Sequence, residues 1–242
     1  VPASERTELA YNNVRAIIEN GGNMWQRRGG NALPGYEIPK SVLPAAPFSN
    51  PSSIFAGGLW MGGVSSDNQL KLAAVLFRSQ GNDFWPGPLN NTNASVESET
   101  CLKFDRFWTT ERSQVETFIQ SYQCQRDPDN CNLDELFPEG YSIPSDFHSW
   151  PAEGDLDKGQ DLYLAPFVDY DGDGVYSPGS GDYPDYGLDE TVEQCKSRQR
   201  EDPVNLFGDY NIFWIFKDKG GGHTEAFGGE AIGLEVRAQA FA

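Results

Sequence analysis

No stretch of this chain is apolar for the roughly 20 residues that a bilayer-spanning helix needs, so membrane insertion is not expected. Basic residues are scarce: 18 Lys and Arg stand against 36 Asp and Glu, a formal net charge of −18. Such a surface repels phosphate backbones and anionic lipid, which argues against nucleic-acid binding and electrostatic docking on membranes. Only two histidines occur, His148 and His223. A Ser-His-Asp device needs a histidine held by a carboxylate and facing a nucleophile, and adjacency in Asp146-Phe147-His148-Ser149 does not supply that. The G-x-S-x-G elbow is missing, and Gly57-Gly58 and Gly62-Gly63 lack the lysine and spacing of a phosphate-cradling loop. The cysteines Cys101, Cys124, Cys131 and Cys195 show neither CxxC nor Cys/His zinc spacing. The expectation is a protein that is not an enzyme.

What the chain does have is Gly, Pro and aromatic residues in quantity, with few long helical patterns. That favours a mainly β, β-sandwich-like, loop-rich fold built as a single module over residues 1–242. Asn12 to Ile18 reads as a strand ending at the turn Asn20-Gly21-Gly22, in preference to a helix over Glu5 to Asn20. Ile54 to Val64 and Leu70 to Phe77 form a hairpin around Ser65-Ser66-Asp67-Asn68. A last hairpin has Asp209 to Lys217 as one arm and Ile232 to Phe241 as the other, whose alternation marks a half-buried strand. One short helix is predicted at about 110–122, capped by Ser113 with Glu116. Because the final strand stops abruptly, the chain reads as the N-terminal fragment of a longer protein, and Val1-Pro2-Ala3-Ser4 as a processed start.

The segment from Glu153 to Glu193 carries twelve acidic residues and one lysine, Lys158. Inside it, Val168-Asp169-Tyr170-Asp171-Gly172-Asp173-Gly174-Val175 places carboxylates at alternate positions before a glycine. Calcium takes six to eight oxygens, and carboxylates at positions 1, 3 and 5 converge when the chain curls around the ion. Gly174 at position 6 permits the sharp turn, and the Val175 carbonyl is the expected ligand at position 7. An EF-hand has a bidentate Glu at position 12, where Ser180 stands here. Asp182 is therefore expected to close the site, with Asp185 as the next acid available. Ca2+ is the expected cofactor, because gathering three carboxylates without a cation is electrostatically unfavourable.

The even cysteine count in an acidic chain suggests disulfides and an oxidising compartment. Cys124 and Cys131 flank a turn-forming run and are expected to pair, which leaves Cys101 with Cys195. The enzymatic alternative is glycoside hydrolysis by paired acids, or glycan binding with Trp60, Trp85, Trp108 and Trp150 as stacking platforms.

Several phrases resemble one family in order and wording. They include Asn13-Val14-Arg15-Ala16, Ile54-Phe55-Ala56-Gly57-Gly58-Leu59-Trp60-Met61-Gly62-Gly63 and Gly81-Asn82-Asp83-Phe84-Trp85-Pro86-Gly87-Pro88. Trp150-Pro151-Ala152-Glu153-Gly154-Asp155, Ala165 to Tyr176, Gly181-Asp182-Tyr183-Pro184, Phe216 to Glu225 and Ile232-Gly233-Leu234-Glu235-Val236 continue the series. Together they resemble the N-terminal region of large Bacteroidota surface proteins exported by the type IX secretion system. That resemblance implies a cleaved signal, contact with the secretion machinery during export, a C-terminal sorting domain and an extracellular, cell-surface location. The functional expectation is a calcium-stabilised structural or adhesive module, with self-association, other surface proteins or glycans as partners.

Overall fold

The protein, a computed structural model that describes residues 1–27, 33–77, 81–188, 204–226 and 228–242, is mainly β. The first sheet contains β1 (Arg6–Leu9), β2 (Arg15–Glu19) and β3 (Asn23–Met24), while β4 (Gln26–Arg27) and β5 (Leu33–Pro34) pair beside it. β6 (Tyr36–Glu37) joins β2, and β7 (Gly57–Gly58) joins β3. β2 buries Ala16, Ile17 and Ile18. Gly21 and Gly22, at φ 107° and 82°, then turn the chain in a region that L side chains avoid. The strand reading therefore holds over the helical one. β8 (Trp60–Val64) and β9 (Leu70–Ala74) form the expected hairpin, in register from Trp60↔Ala74 to Val64↔Leu70.

The second half is organised by one strand. β10 (Trp85–Pro86), α1 (Ser98–Phe104), β11 (Trp108–Glu111) and α2 (Arg112–Arg126) precede it, followed by the single turns α3 (Leu133–Leu136) and α4 (Ser145–His148). β12 (Phe167–Val168) pairs antiparallel with β13 (Tyr183–Pro184). β14 (Tyr210–Lys217) then pairs with β15 (Glu235–Phe241) along one edge, from Asn211↔Phe241 to Lys217↔Glu235. β11 and β10 share the other edge of β14. The predicted closing hairpin is thus present.

β14 is buried on both faces, and its period of two sends alternate side chains into two cores. Ile212, Trp214 and Phe216 meet Ile18, Ala73 and Phe84. Phe213 and Ile215 meet Phe118, Phe147, Trp150, Leu164 and Tyr183. Trp85, Trp108 and Trp150 are buried, which removes three of the four tryptophans proposed as glycan platforms, while Trp60 is exposed.

Two expectations about helices are corrected. The predicted helix starts at Arg112 and runs to Arg126, and its capping box is Glu111 with Gln114 rather than Ser113 with Glu116. The backbone enters helical geometry only after β11 ends, so the residue at the strand–helix junction becomes the cap. α1, α3 and α4 were not anticipated; they are too short to show helical periodicity in sequence.

The Cys124–Cys131 disulfide forms as predicted, with Cα atoms 5.1 Å apart, and ties the end of α2 to the turn before α3. Cys101 is buried and unbridged among the described residues; Cys195, its expected partner, lies outside them. It lies on the buried face of α1 with Thr100 and Phe104.

Lys217 is fully buried, donates to the Pro86 carbonyl, and has its ammonium pushed down to about 8 by burial. A base whose folded value is depressed below its unfolded one is destabilising while protonated, and that burden lifts as pH rises. Between pH 8 and about 10.5 the native protein should gain roughly 1–3 kcal/mol relative to Lys217→Met. Denaturant midpoints of the two proteins across this window check it; parallel pH profiles would refute it.

Candidate metal centre

The aspartate-rich loop lies between β12 and β13, whose short ladder, Phe167↔Pro184 and Val168↔Tyr183, holds its ends together. Within it the chain curls as the spacing predicts. The N–H groups of Gly172 and Gly174 donate to Asp169 Oδ1 and Oδ2 at 2.8 and 2.9 Å. The Asp173 N–H donates to Asp171 Oδ1 at 3.3 Å, and the Val175 N–H to Asp173 Oδ1 at 2.7 Å. Gly172 and Gly174 take φ of 74° and 79°, and open space surrounds a Cβ built at either. Backbone conformation alone, not crowding, therefore demands glycine at both positions.

One oxygen from each of Asp169, Asp171 and Asp173 lies within 4.8 Å of the others, so this cluster could hold a metal ion. Asp171 and Asp173 are exposed and Asp169 is partly buried. Val175 is also exposed, its N–H already donated within the loop.

Asp182 plays a part that its spacing did not reveal. It is fully buried, and its two oxygens accept N–H groups from opposite ends of the loop, Tyr170 at 2.8 Å and Ser177 at 2.7 Å. Burial raises its pKa, the two N–H donors oppose that, and the charges of Asp169 and Asp171 push it further up. The carboxylate is thus a clamp on the loop that also feels the triad.

Glu153, from a separate segment, was missed by the sequence reading except as one acid among twelve. Its pKa is raised by burial first and then by Asp173, Asp169 and Asp182, while a hydrogen bond from the Tyr176 backbone lowers it. Spacing could not have found it, because the loop approaches it only after folding. The Tyr176 hydroxyl is likewise pushed up by burial and by Asp182, and has no hydrogen-bond partner.

α2 supports the loop from behind. The Tyr122 hydroxyl donates to the Ser180 carbonyl at 2.6 Å, and its ring meets Tyr170 edge-on. Gly181, at φ 107°, would bring a Cβ within 2.5 Å of the Tyr122 ring, so only glycine fits there.

The two histidines differ in setting. His148 is exposed, and the buried His223 directs its nitrogens at the carbonyl oxygens of Leu72 and Asp218, at 2.8 and 2.6 Å. Comparison with protein-family models, characterised proteins and solved structures finds no match. The loop geometry therefore carries the functional argument.

A carboxylate whose folded pKa is raised contributes stability at low pH and loses it as pH climbs through the folded value. With no metal added, stability should fall as pH rises above the ordinary carboxylate range of roughly 4. Glu153→Gln, which keeps an acceptor for Tyr176 and removes the charge, should flatten that fall. Equal slopes for the two proteins in thermal melts with chelator would refute the assignment.

Proposed function

We propose that this chain is a calcium-stabilised, non-enzymatic module of a secreted bacterial cell-surface protein, serving structure or adhesion. The observation carrying the metal reading is the convergence of three alternate carboxylates on one point. Oxygens on opposite sides of a calcium ion at 2.3–2.6 Å stand at most about 5 Å apart, so a set within 4.8 Å suits one such ion. Burial raises Asp182 and Glu153 first and the neighbouring carboxylates add to it; bound calcium would offset that added repulsion.

The ion's role in this reading is architectural. Asp169 already organises the loop through two glycine N–H groups, whereas Asp171 accepts one long bond and faces solvent. Calcium would complete a structure that the backbone has mostly formed, with water and the Val175 carbonyl filling remaining positions. An affinity of about 10⁻⁴–10⁻³ M matches extracellular modules and millimolar calcium. In this reading the type IX secretion machinery handles the chain during export, and self-association or binding to other surface proteins follows. The local disulfide agrees with an oxidising compartment.

A second reading has one observation in its favour. An open cleft of about 690 Å³ is lined by polar residues including Asn90, Asn91, Asp161 and Arg237 and by the apolar Leu89 and Leu234, a set that could take a glycan. The burial of three candidate tryptophans weighs against an aromatic-lined sugar site.

Adding millimolar calcium to chelated protein should raise stability by on the order of 1 kcal/mol, by mass action. Asp171→Ala should abolish that gain while leaving the metal-free melting temperature almost unchanged. Differential scanning calorimetry with EDTA, calcium and magnesium reads both. No calcium-dependent shift in the native protein, or an equal shift in Asp171→Ala, would remove the proposal.

A further inference from the structure

The cleft at the start of β15 has a lining held in place by a chain of charged and polar side chains. Arg237 donates through Nε to Glu235 Oε1 at 2.7 Å, through one Nη to the Tyr163 carbonyl at 2.8 Å, and through the other to Asp161 Oδ2. The second Asp161 oxygen accepts from Asn91 Nδ2, and Glu235 Oε2 accepts from the Leu89 N–H at 2.8 Å. Three segments distant in sequence are thereby joined around one opening of about 690 Å³.

Spare hydrogen bonding remains in that network. A guanidinium has five N–H groups and a carboxylate about four acceptor sites. Arg237 uses three of its N–H groups and Asp161 two of its acceptor sites, and the Asp161 side chain is 46 % exposed. Donors and an acceptor thus stand side by side, in positions that their neighbours already hold, which lowers the ordering cost of binding. Apolar surface lies in the same cleft. Tyr163, its ring braced by Phe167 at 5.7 Å, and Leu234 both line it and are 42 % and 43 % exposed.

A hydroxyl both donates and accepts, so two adjacent sugar hydroxyls can meet a carboxylate and a neighbouring N–H together. The C–H face of the sugar ring then packs on an aromatic or aliphatic side chain. Charge narrows the class further. The charged lining residues are Asp161, Glu235 and Arg237, two carboxylates against one guanidinium. A sulfate or uronate entering here meets the uncompensated carboxylate charge, in a chain whose formal net charge is −18.

We propose that this cleft binds a neutral glycan. Asp161 accepts from one sugar hydroxyl, Arg237 and Asn91 donate to its neighbour, and the ring rests on Tyr163 and Leu234. Such a glycan is the partner in the adhesive reading above, on which this site rests. No lining residue belongs to the aspartate loop from Asp169 to Asp182, so binding does not require the metal.

The test applies the chain, in EDTA, to a printed array of maltohexaose, cellohexaose, xylohexaose and mannohexaose. Oligogalacturonate, a heparin hexasaccharide and a trilysine peptide are printed alongside. At least one neutral oligosaccharide should be retained, and neither anionic one. In titration calorimetry, Asp161→Ala and Tyr163→Ala should each weaken the retained sugar by about tenfold or more, through loss of a charge-assisted hydrogen bond or of the ring platform. Both side chains are partly exposed, so the melting temperature should hold. Should Asp161→Ala unfold, Tyr163→Ala and Asn91→Ala decide. Retention of no neutral sugar, preference for an anionic sugar or the peptide, or undiminished binding by the variants would overturn the proposal. Because calcium is absent throughout, each of those outcomes leaves the metal reading standing.

Discussion

A strand that is apolar on both faces must be covered on both, and β14 imposes that requirement on the whole chain. Ile212, Trp214 and Phe216 cannot share a core with Phe213 and Ile215, because alternate side chains leave a strand in opposite directions. The N-terminal segments supply one cover through Ile18, Ala73 and Phe84. α2, α4 and the proline-rich segments supply the other through Phe118, Phe147 and Trp150. β15 protects one edge of the strand and β10 with β11 the other. Truncating a fully buried residue such as Ile215 would expose this dependence, since such deletions cost about 2–5 kcal/mol.

The long segments between strands raise a second problem, because backbone N–H groups outside ladders still need acceptors. Here buried carboxylates provide them. Asp83 accepts from Ala74, Thr224, Glu225 and Ala226, which joins three distant segments. Asp218 gathers the N–H groups of Ile232, Gly233 and Leu234 at the start of β15. Asp182 does the same for the two ends of the aspartate loop. Part of the acidity that looks like a solvated surface in composition is therefore internal connection. A carboxylate offers several acceptor sites, and a charge-assisted bond is stronger than a neutral one.

The aspartate loop and the buried Lys217 both hold charges short of their natural partners. In the loop, three carboxylates face one another while Asp182 and Glu153 sense their charge. In the core, the Lys217 ammonium rests on the Pro86 carbonyl, and burial pushes its pKa down. One arrangement is relieved by adding a cation, the other by removing a proton. Each is a place where a chemical event outside the fold would change stability.

Local features were legible in the sequence because they depend on neighbours along the chain. The alternation in β15, the β8–β9 hairpin, the Cys124–Cys131 pairing and the glycine at position 174 all follow from spacing and backbone preference. So did the convergence of Asp169, Asp171 and Asp173, since a tight turn brings alternate residues together. The cap of α2 was misplaced because it depends on where β11 ends against β14. The clamping role of Asp182, the approach of Glu153 and the burial of Lys217 have no sequence signature. Each depends on packing that neighbours along the chain do not specify. Sequence determined which pieces would form and where a cation could sit; tertiary packing alone decided which distant charges would face one another, because burial sets both their distance and their strength.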